Sequence, residues 1–157
     1  MSFASETFLT AGQKQTIVCS SLEQTQELAD QIAQNLQTGD VVALSGELGA
    51  GKSTLIRMIV RALGYQGVIS SPTFTLMNVY ESADKGPIYH FDFYRVSSAD
   101  EAGGFGADEF IGADGIAFIE WADKIPELLP ENYYRIQIDI PDFGGSPTVR
   151  SFEISKR

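Results

Sequence analysis

The feature that most constrains this chain is the run Gly46-Glu-Leu-Gly-Ala-Gly-Lys-Ser, which satisfies the pattern G-x-x-x-x-G-K-[ST]. Such a pattern carries meaning only between a strand and a helix, and both are present. Val41-Val-Ala-Leu is a short apolar run without polar alternation, which predicts a buried strand of a parallel sheet. After the run, Leu55, Ile56, Ile59, Val60 and Leu63 recur at helical spacing, and Gly64 supplies a stop. Gly46 and Gly51 permit tight turns, and Gly49 leaves room for close approach. The loop amides from Gly46 through Glu47, Leu48, Ala50 and Thr54 are then expected to converge on an anion at the helix N-terminus. Unpaired donors and the helix dipole favour negative charge there. Lys52 is expected to reach the β- and γ-phosphates of a nucleotide, with the Ser53 hydroxyl ligating magnesium.

The remaining patterns extend this core. Ile17-Val-Cys reads as a strand, and Ser21 with Gln24 forms a capping-box pattern. Leu22, Leu28, Ala29, Ile32, Ala33 and Leu36 then mark one helix face, with Gly39 as the stop. Phe74 to Tyr80 and Ile88 to Val96 are β-prone and read as a hairpin across Glu81–Pro87. Ile116-Ala-Phe-Ile is a second compact apolar run and predicts another central strand, closing on Glu120. Tyr134, Ile136, Ile138 and Ile140 alternate with polar residues, which predicts an antiparallel strand, a Gly144-Gly145 turn and a last strand. The sum is an α/β fold over residues 1–157 as a single domain. It is a P-loop NTPase-like mixed sheet with a parallel core, antiparallel hairpin additions and flanking helices.

Charge narrows the function. The chain carries a formal net charge of −10, and gripping nucleic acid requires Lys and Arg to neutralise phosphates, so strong direct tRNA or DNA binding is not expected. A basic protein partner fits better, and an acidic surface that only keeps the chain soluble accounts for the charge equally well. The N-terminal residues lack a basic segment followed by an apolar stretch, and no apolar run reaches bilayer length, so a cytoplasmic protein without membrane association is expected. The single cysteine, Cys19, excludes an intrachain disulfide and reads as core packing. An Asn-Lys-x-Asp guanine reader is absent, which disfavours a GTPase. Ser97 to Gly115 holds no Lys or Arg and five acidic residues, which disfavours a small-molecule kinase with an arginine lid. A nucleotide-gated binding module with negligible turnover is not separable from an ATPase by sequence.

Magnesium calls for a carboxylate beside Ser53, and two residues qualify. Glu120 follows the better buried run, while Asp92, read as lying mid-hairpin, suits orientation of the attacking water or support of the metal. Ser71-Pro-Thr-Phe-Thr lies where a hydroxyl often senses the γ-phosphate, making Thr73 and Thr75 candidates. His90, the only histidine, reads as a packed side chain, and Trp121 suits either a pocket wall or the core.

Four blocks in this order and spacing resemble the bacterial TsaE (formerly YjeE) family: Ser45-Gly-Glu-Leu-Gly-Ala-Gly-Lys-Ser-Thr, Ser71-Pro-Thr-Phe-Thr-Leu, His90-Phe-Asp-Phe-Tyr-Arg and Ile119-Glu-Trp. The likeness spans about Ser21 to Ile138. It implies the small ATPase of the machinery that makes threonylcarbamoyladenosine in tRNA, using ATP and magnesium. The resemblance also implies that Glu120 joins Ser53 as metal ligand and that Asp92 and Thr73 serve turnover beside Lys52. By the same likeness Ser21 to Thr25 approach the nucleotide, and Arg150 matches a family arginine. The implied partner is a TsaB–TsaD pair carrying the transferase site and the tRNA. The chain departs from the pattern at Asp142–Pro147 and at Glu101-Ala-Gly-Gly-Phe-Gly, where a mobile acidic loop is expected instead of a leucine-rich helix.

Overall fold

The computed structural model describes residues 12–47, 50–72, 76–104, 106–141 and 149–157. Expectations for Leu48, Gly49, Thr73, Thr75 and the turn at Gly144-Gly145 lie outside them. In chain order the elements are β1 (Lys14–Cys19), α1 (Leu22–Asn35), β2 (Val41–Ser45), α2 (Lys52–Ala62), β3 (Met77–Glu81) and β4 (Pro87–Asp92). After them come α3 (Ala99–Gly104), α4 (Ala107–Phe110), β5 (Ile116–Glu120), β6 (Tyr134–Asp139) and β7 (Arg150–Lys156). Short 3-10 turns at Ala122–Lys124 and Pro126–Leu128 follow β5.

The strands form one sheet in the order β1-β7-β6-β2-β5-β4-β3. β2 lies parallel to both β5 and β6, and β4 lies parallel to β5. β3, β7 and β1 add antiparallel pairs at the flanks. The unbroken apolar runs follow from both sheet faces being covered. In β2, Val42 and Leu44 join α1 and α2 in one core, while Val41 and Ala43 face the second core with Ala102, Ala107 and Ile125. Phe118 and Ile119 of β5 divide in the same way. Each such fully buried Ile, Leu or Phe contributes about 1.5–3 kcal/mol through loss of apolar surface from water.

Helix boundaries follow local chemistry. Ser21 Oγ accepts from the Gln24 amide and caps α1, while Gln24 Oε1 accepts from the Ser20 amide, one residue earlier than a capping box requires. The chain leaves α1 after Asn35, before Gly39, and α1 has no basic residue in its last turn. Lys85, from the turn between β3 and β4, supplies that charge: its Nζ donates to the carbonyls of Ala33 at 2.9 Å and Leu36 at 2.6 Å. Gly64 ends α2 with φ +104°. Cys19 packs into the core as expected, and burial pushes its thiol above the ordinary range.

Three expectations are corrected. Leu22, assigned to the buried face of α1, is 63% exposed: it opens the helix and lines a cavity with Ala50 and Gly51 of the glycine loop instead of packing into the core. Asp92 does not lie mid-hairpin. β4 stops at Asp92 and pairs with β5 as well as β3, so this residue sits at the end of a parallel core strand, opposite Glu120. Of the segment from Glu101, residues Glu101 to Gly104 are not a loop but part of α3. Ser98 Oγ accepts from the Glu101 amide, and the Glu101 carboxylate accepts from the Ser97 hydroxyl and amide, which also holds that carboxyl below its usual range. The pattern S-x-x-E from Ser98 to Glu101 was the signal for this helix start.

Candidate functional site

Parallel strands end on one edge of their sheet, and here that edge gathers the charged residues. β2 runs out at Ser45 into the glycine loop, β5 ends at Glu120 and β4 at Asp92. Two-residue periodicity decides what faces the loop. Ile88 and Ile116 lie in the core beneath α1 and α2, so His90, Asp92 and Glu120, an even number of residues further on, share the α2 side of the sheet. That is where Lys52 and Ser53 open the helix. All of Lys52, His90, Asp92 and Glu120 are buried.

Buried charge must be paired, and the pairing defines the site. Lys52 is 5% exposed, and its Nζ donates to the carbonyls of Gly46 at 2.5 Å and Glu47 at 3.1 Å. The same Nζ lies 4.7 Å from the centre of the Trp121 ring. Burial pushes the Lys52 ammonium below its ordinary range, and the charges of Glu120 and Asp92 partly restore it. Ser53 Oγ stands 3.4 Å from Glu120 Oε1, while Glu120 Oε2 stands 2.7 Å from His90 Nε2. Asp92 Oδ1 accepts from the Tyr94 amide at 2.9 Å, and the Asp92 amide donates to Leu76 O. Leu76 and Trp121 are the non-glycine residues with positive φ among those described; Leu76 accepts from the Asp92 amide and Trp121 directly follows Glu120. Such backbone strain, on the order of 1–3 kcal/mol each, concentrates where surrounding structure holds a site in place.

A cavity of about 370 Å³ opens over this group, walled by Gly51, Lys52, Ser53, Thr54, Asp92 and Glu120. Ser71, Tyr94, Arg95 and Trp121 complete it, and Tyr94 stacks on Trp121 with centroids 5.0 Å apart. Trp121 is therefore a pocket wall. Beyond Gly51 and Thr54 lies a second cavity of about 200 Å³, lined by Leu22, Thr25, Ala50, Arg150 and Phe152. Thr25 and Arg150 are thus brought to the loop, Arg150 Nε donating to Ala50 O at 2.9 Å. Ser21 is engaged in the helix cap, and its carbonyl accepts from Thr25 Oγ1. Tyr94 and Arg95 were not singled out from sequence, although they complete the His90-Phe-Asp-Phe-Tyr-Arg block. His90 is buried as expected, but its ring is bonded to a site carboxylate, which burial pattern alone does not reveal.

The oxygen set suits magnesium. A hydroxyl and a carboxylate oxygen stand side by side at the mouth of a helix, and magnesium beside phosphates usually takes one or two protein oxygens, filling the rest with water and phosphate. No group of three or more His, Cys, Asp or Glu side chains is arranged around one point among the described residues.

A glycine loop joining the central parallel strand to a helix, with carboxylates closing the neighbouring strands, places the molecule among P-loop-like α/β proteins. The family model described as "Threonylcarbamoyl adenosine biosynthesis protein TsaE" matches residues 19–144. The Bacillus subtilis tRNA threonylcarbamoyladenosine biosynthesis protein TsaE is 38% identical, with 78% of this chain and 74% of that protein aligned. The Aquifex aeolicus protein of the same name is 39% identical, covering 78% and 93%. The Haemophilus influenzae relative is 42% identical over 65% of this chain and 64% of its own length. The crystal structure of Bacillus subtilis YdiB superposes with a TM-score of 0.72 at 29% identity, covering 90% of this chain and 84% of that one. This chain belongs to the TsaE family.

Proposed function

We propose that this protein binds ATP with magnesium at Gly46–Thr54, hydrolyses it, and thereby supports threonylcarbamoyladenosine formation on tRNA by a TsaB–TsaD-type transferase pair. The observation that carries the reading is a buried lysine at a helix N-terminus, with Ser53 and Glu120 oxygens 3.4 Å apart beside it. The amides that open α2 lack intrahelical partners, so a phosphate satisfies donors that would otherwise need water. Lys52 exchanges the carbonyls of Gly46 and Glu47 for phosphate oxygens. Ser53 Oγ and Glu120 Oε1 are the oxygens that would hold magnesium, which when bound supplies charge neutralisation at the phosphates. Asp92, held by the Tyr94 amide, orients the attacking water, and Thr73 serves the γ-phosphate. The apolar cavity at Leu22, Thr25 and Phe152 takes the nucleoside end, with Arg150 bracing the loop at Ala50.

The role in tRNA modification draws support from family membership and from the names of the relatives. A net charge of −10 suits a component that leaves tRNA to a partner. No helix among the described residues is long and apolar enough to cross a membrane, and action in the cytoplasm accords with that.

Two measurements test this reading. Glu120→Gln is expected to raise the magnesium concentration needed for half-maximal ATP binding by about tenfold or more, since a ligand charge is lost while shape is kept. An unaltered metal titration would move that ligand to Asp92. Phosphate release is expected to rise when the TsaB–TsaD pair is added. ATP binding with a release rate flat across partner concentration would mark a nucleotide-gated binding module instead.

A further inference from the structure

We propose that His90 is a positioning residue that commits one oxygen of Glu120 to its imidazole and thereby aims the other at Ser53 and the metal. The inference rests on the magnesium–ATP reading and adds a residue to it. A carboxylate accepts through either oxygen, so an untethered Glu120 has several ways to turn among Lys52, Ser53 and solvent. Here the choice is removed. His90 Nε2 lies 2.7 Å from Oε2, with the two side chains 3% and 5% exposed, and Oε1 is left facing Ser53 Oγ. The tether is stiff because it is built on the sheet: His90 and Glu120 project from adjacent parallel strands on the same face, two register positions apart, His90 lying opposite Phe118 and Glu120 opposite Asp92.

The other ring nitrogen argues against packing as the reason for a histidine here. Nδ1 is buried without a hydrogen-bond partner among the described residues. An unpartnered buried polar atom costs about 1–3 kcal/mol, a cost that an apolar ring of similar size would avoid. What an apolar ring cannot supply is the Nε2 donor. Partners that orient a metal-binding carboxylate typically change metal affinity about 10- to 100-fold when removed.

The test uses the full chain, a non-hydrolysable ATP analogue and magnesium titrated by calorimetry, with the analogue also titrated in chelator. His90→Phe keeps a ring and deletes the donor. It is expected to raise the magnesium midpoint about 10- to 100-fold while analogue affinity in chelator changes by less than about twofold. His90→Gln carries an N–H the same number of bonds from Cα and should restore the midpoint to within about threefold of the wild type. If His90→Phe does not fold, His90→Asn, whose amide is too short to reach Glu120, takes its place with the same expectation. A lowered melting temperature with an unmoved magnesium midpoint in the folded variant would overturn the positioning role, as would a His90→Gln protein no better than the donor-deleted one. Absence of any magnesium effect in the wild-type protein would instead overturn the underlying reading of the site.

Discussion

Lys52→Met is expected to weaken ATP binding about 10- to 100-fold, the worth of a charge-assisted contact to phosphate, while the ligand-free protein changes little in melting temperature, the lost burial penalty offsetting the lost bonds to the Gly46 and Glu47 carbonyls. Both halves turn on the buried ammonium. Burial sets Lys52 below the ordinary lysine range, so the fold opposes the charged form, and neighbouring Glu120 and Asp92 only partly offset this. Between the depressed folded value and the ordinary unfolded one, the unfolded chain binds more protons, and stability rises with pH through that window. Methionine keeps most of the length of the side chain and removes the penalty along with the bonds to the Gly46 and Glu47 carbonyls. Phosphate acts in the opposite sense. It favours the ammonium, so nucleotide binding should take up protons in alkaline buffer, and affinity should begin to fall below the pH at which a solvated lysine titrates. Calorimetry in buffers of different ionisation enthalpy reads both effects. Equal ATP affinity for the two proteins would remove Lys52 from the phosphate site.

Gly46→Ala is expected to damage stability and binding together. A Cβ at this position would meet the carbonyl oxygen of Ile138 at 2.6 Å and Ala50 Cβ at 3.3 Å, and Gly46 adopts φ +150°. The obstacle is backbone of β6, which is paired on both sides and cannot swing away as a side chain would. Overpacking against fixed structure costs about 1–3 kcal/mol. For a chain of this size that lowers the melting temperature by about 2–12 °C. Relief requires the loop to lift off β6, which moves the phosphate-binding amides with it. Gly51 provides the contrast, since a Cβ there meets only Arg150 Nε at 4.0 Å and the strain comes from φ +108° alone. A Gly46→Ala protein that melts within about a degree of the wild type would refute the close approach to Ile138.

Much of the fold was legible because its signals are local. Val41–Leu44 and Ile116–Ile119 read as central strands from their unbroken apolar runs, and the structure places them side by side in parallel. The face of α2 from Leu55 to Val60 is buried as its spacing requires. The departures have physical causes of their own. β-prone residues continue to Val96 and by sequence put Asp92 mid-hairpin, yet the strand ends where the β5 pairing ends, and pairing is a property of two strands. The acidic segment after Ser97 looked loop-like from its glycines, and the capping interaction of Ser98 with Glu101 outweighs them.

The site divides along the same line. Its glycine loop was readable because the pattern is contiguous, every requirement lying within eight residues between a strand and a helix. The carboxylates were readable only as candidates. What makes Glu120 and Asp92 neighbours is the parallel register of β4 and β5, residues 28 positions apart in sequence set opposite one another. The same register gives the lone histidine a carboxylate partner, and its second nitrogen has no hydrogen-bond partner among the described residues. Sequence by itself determined a glycine-rich hinge, its flanking elements and a strongly acidic chain, since each follows from composition or from residues near one another in order. Tertiary structure alone decided which oxygens meet, which way each carboxylate points and how deeply Lys52 is buried. Those are consequences of strand order and register, which no local pattern encodes.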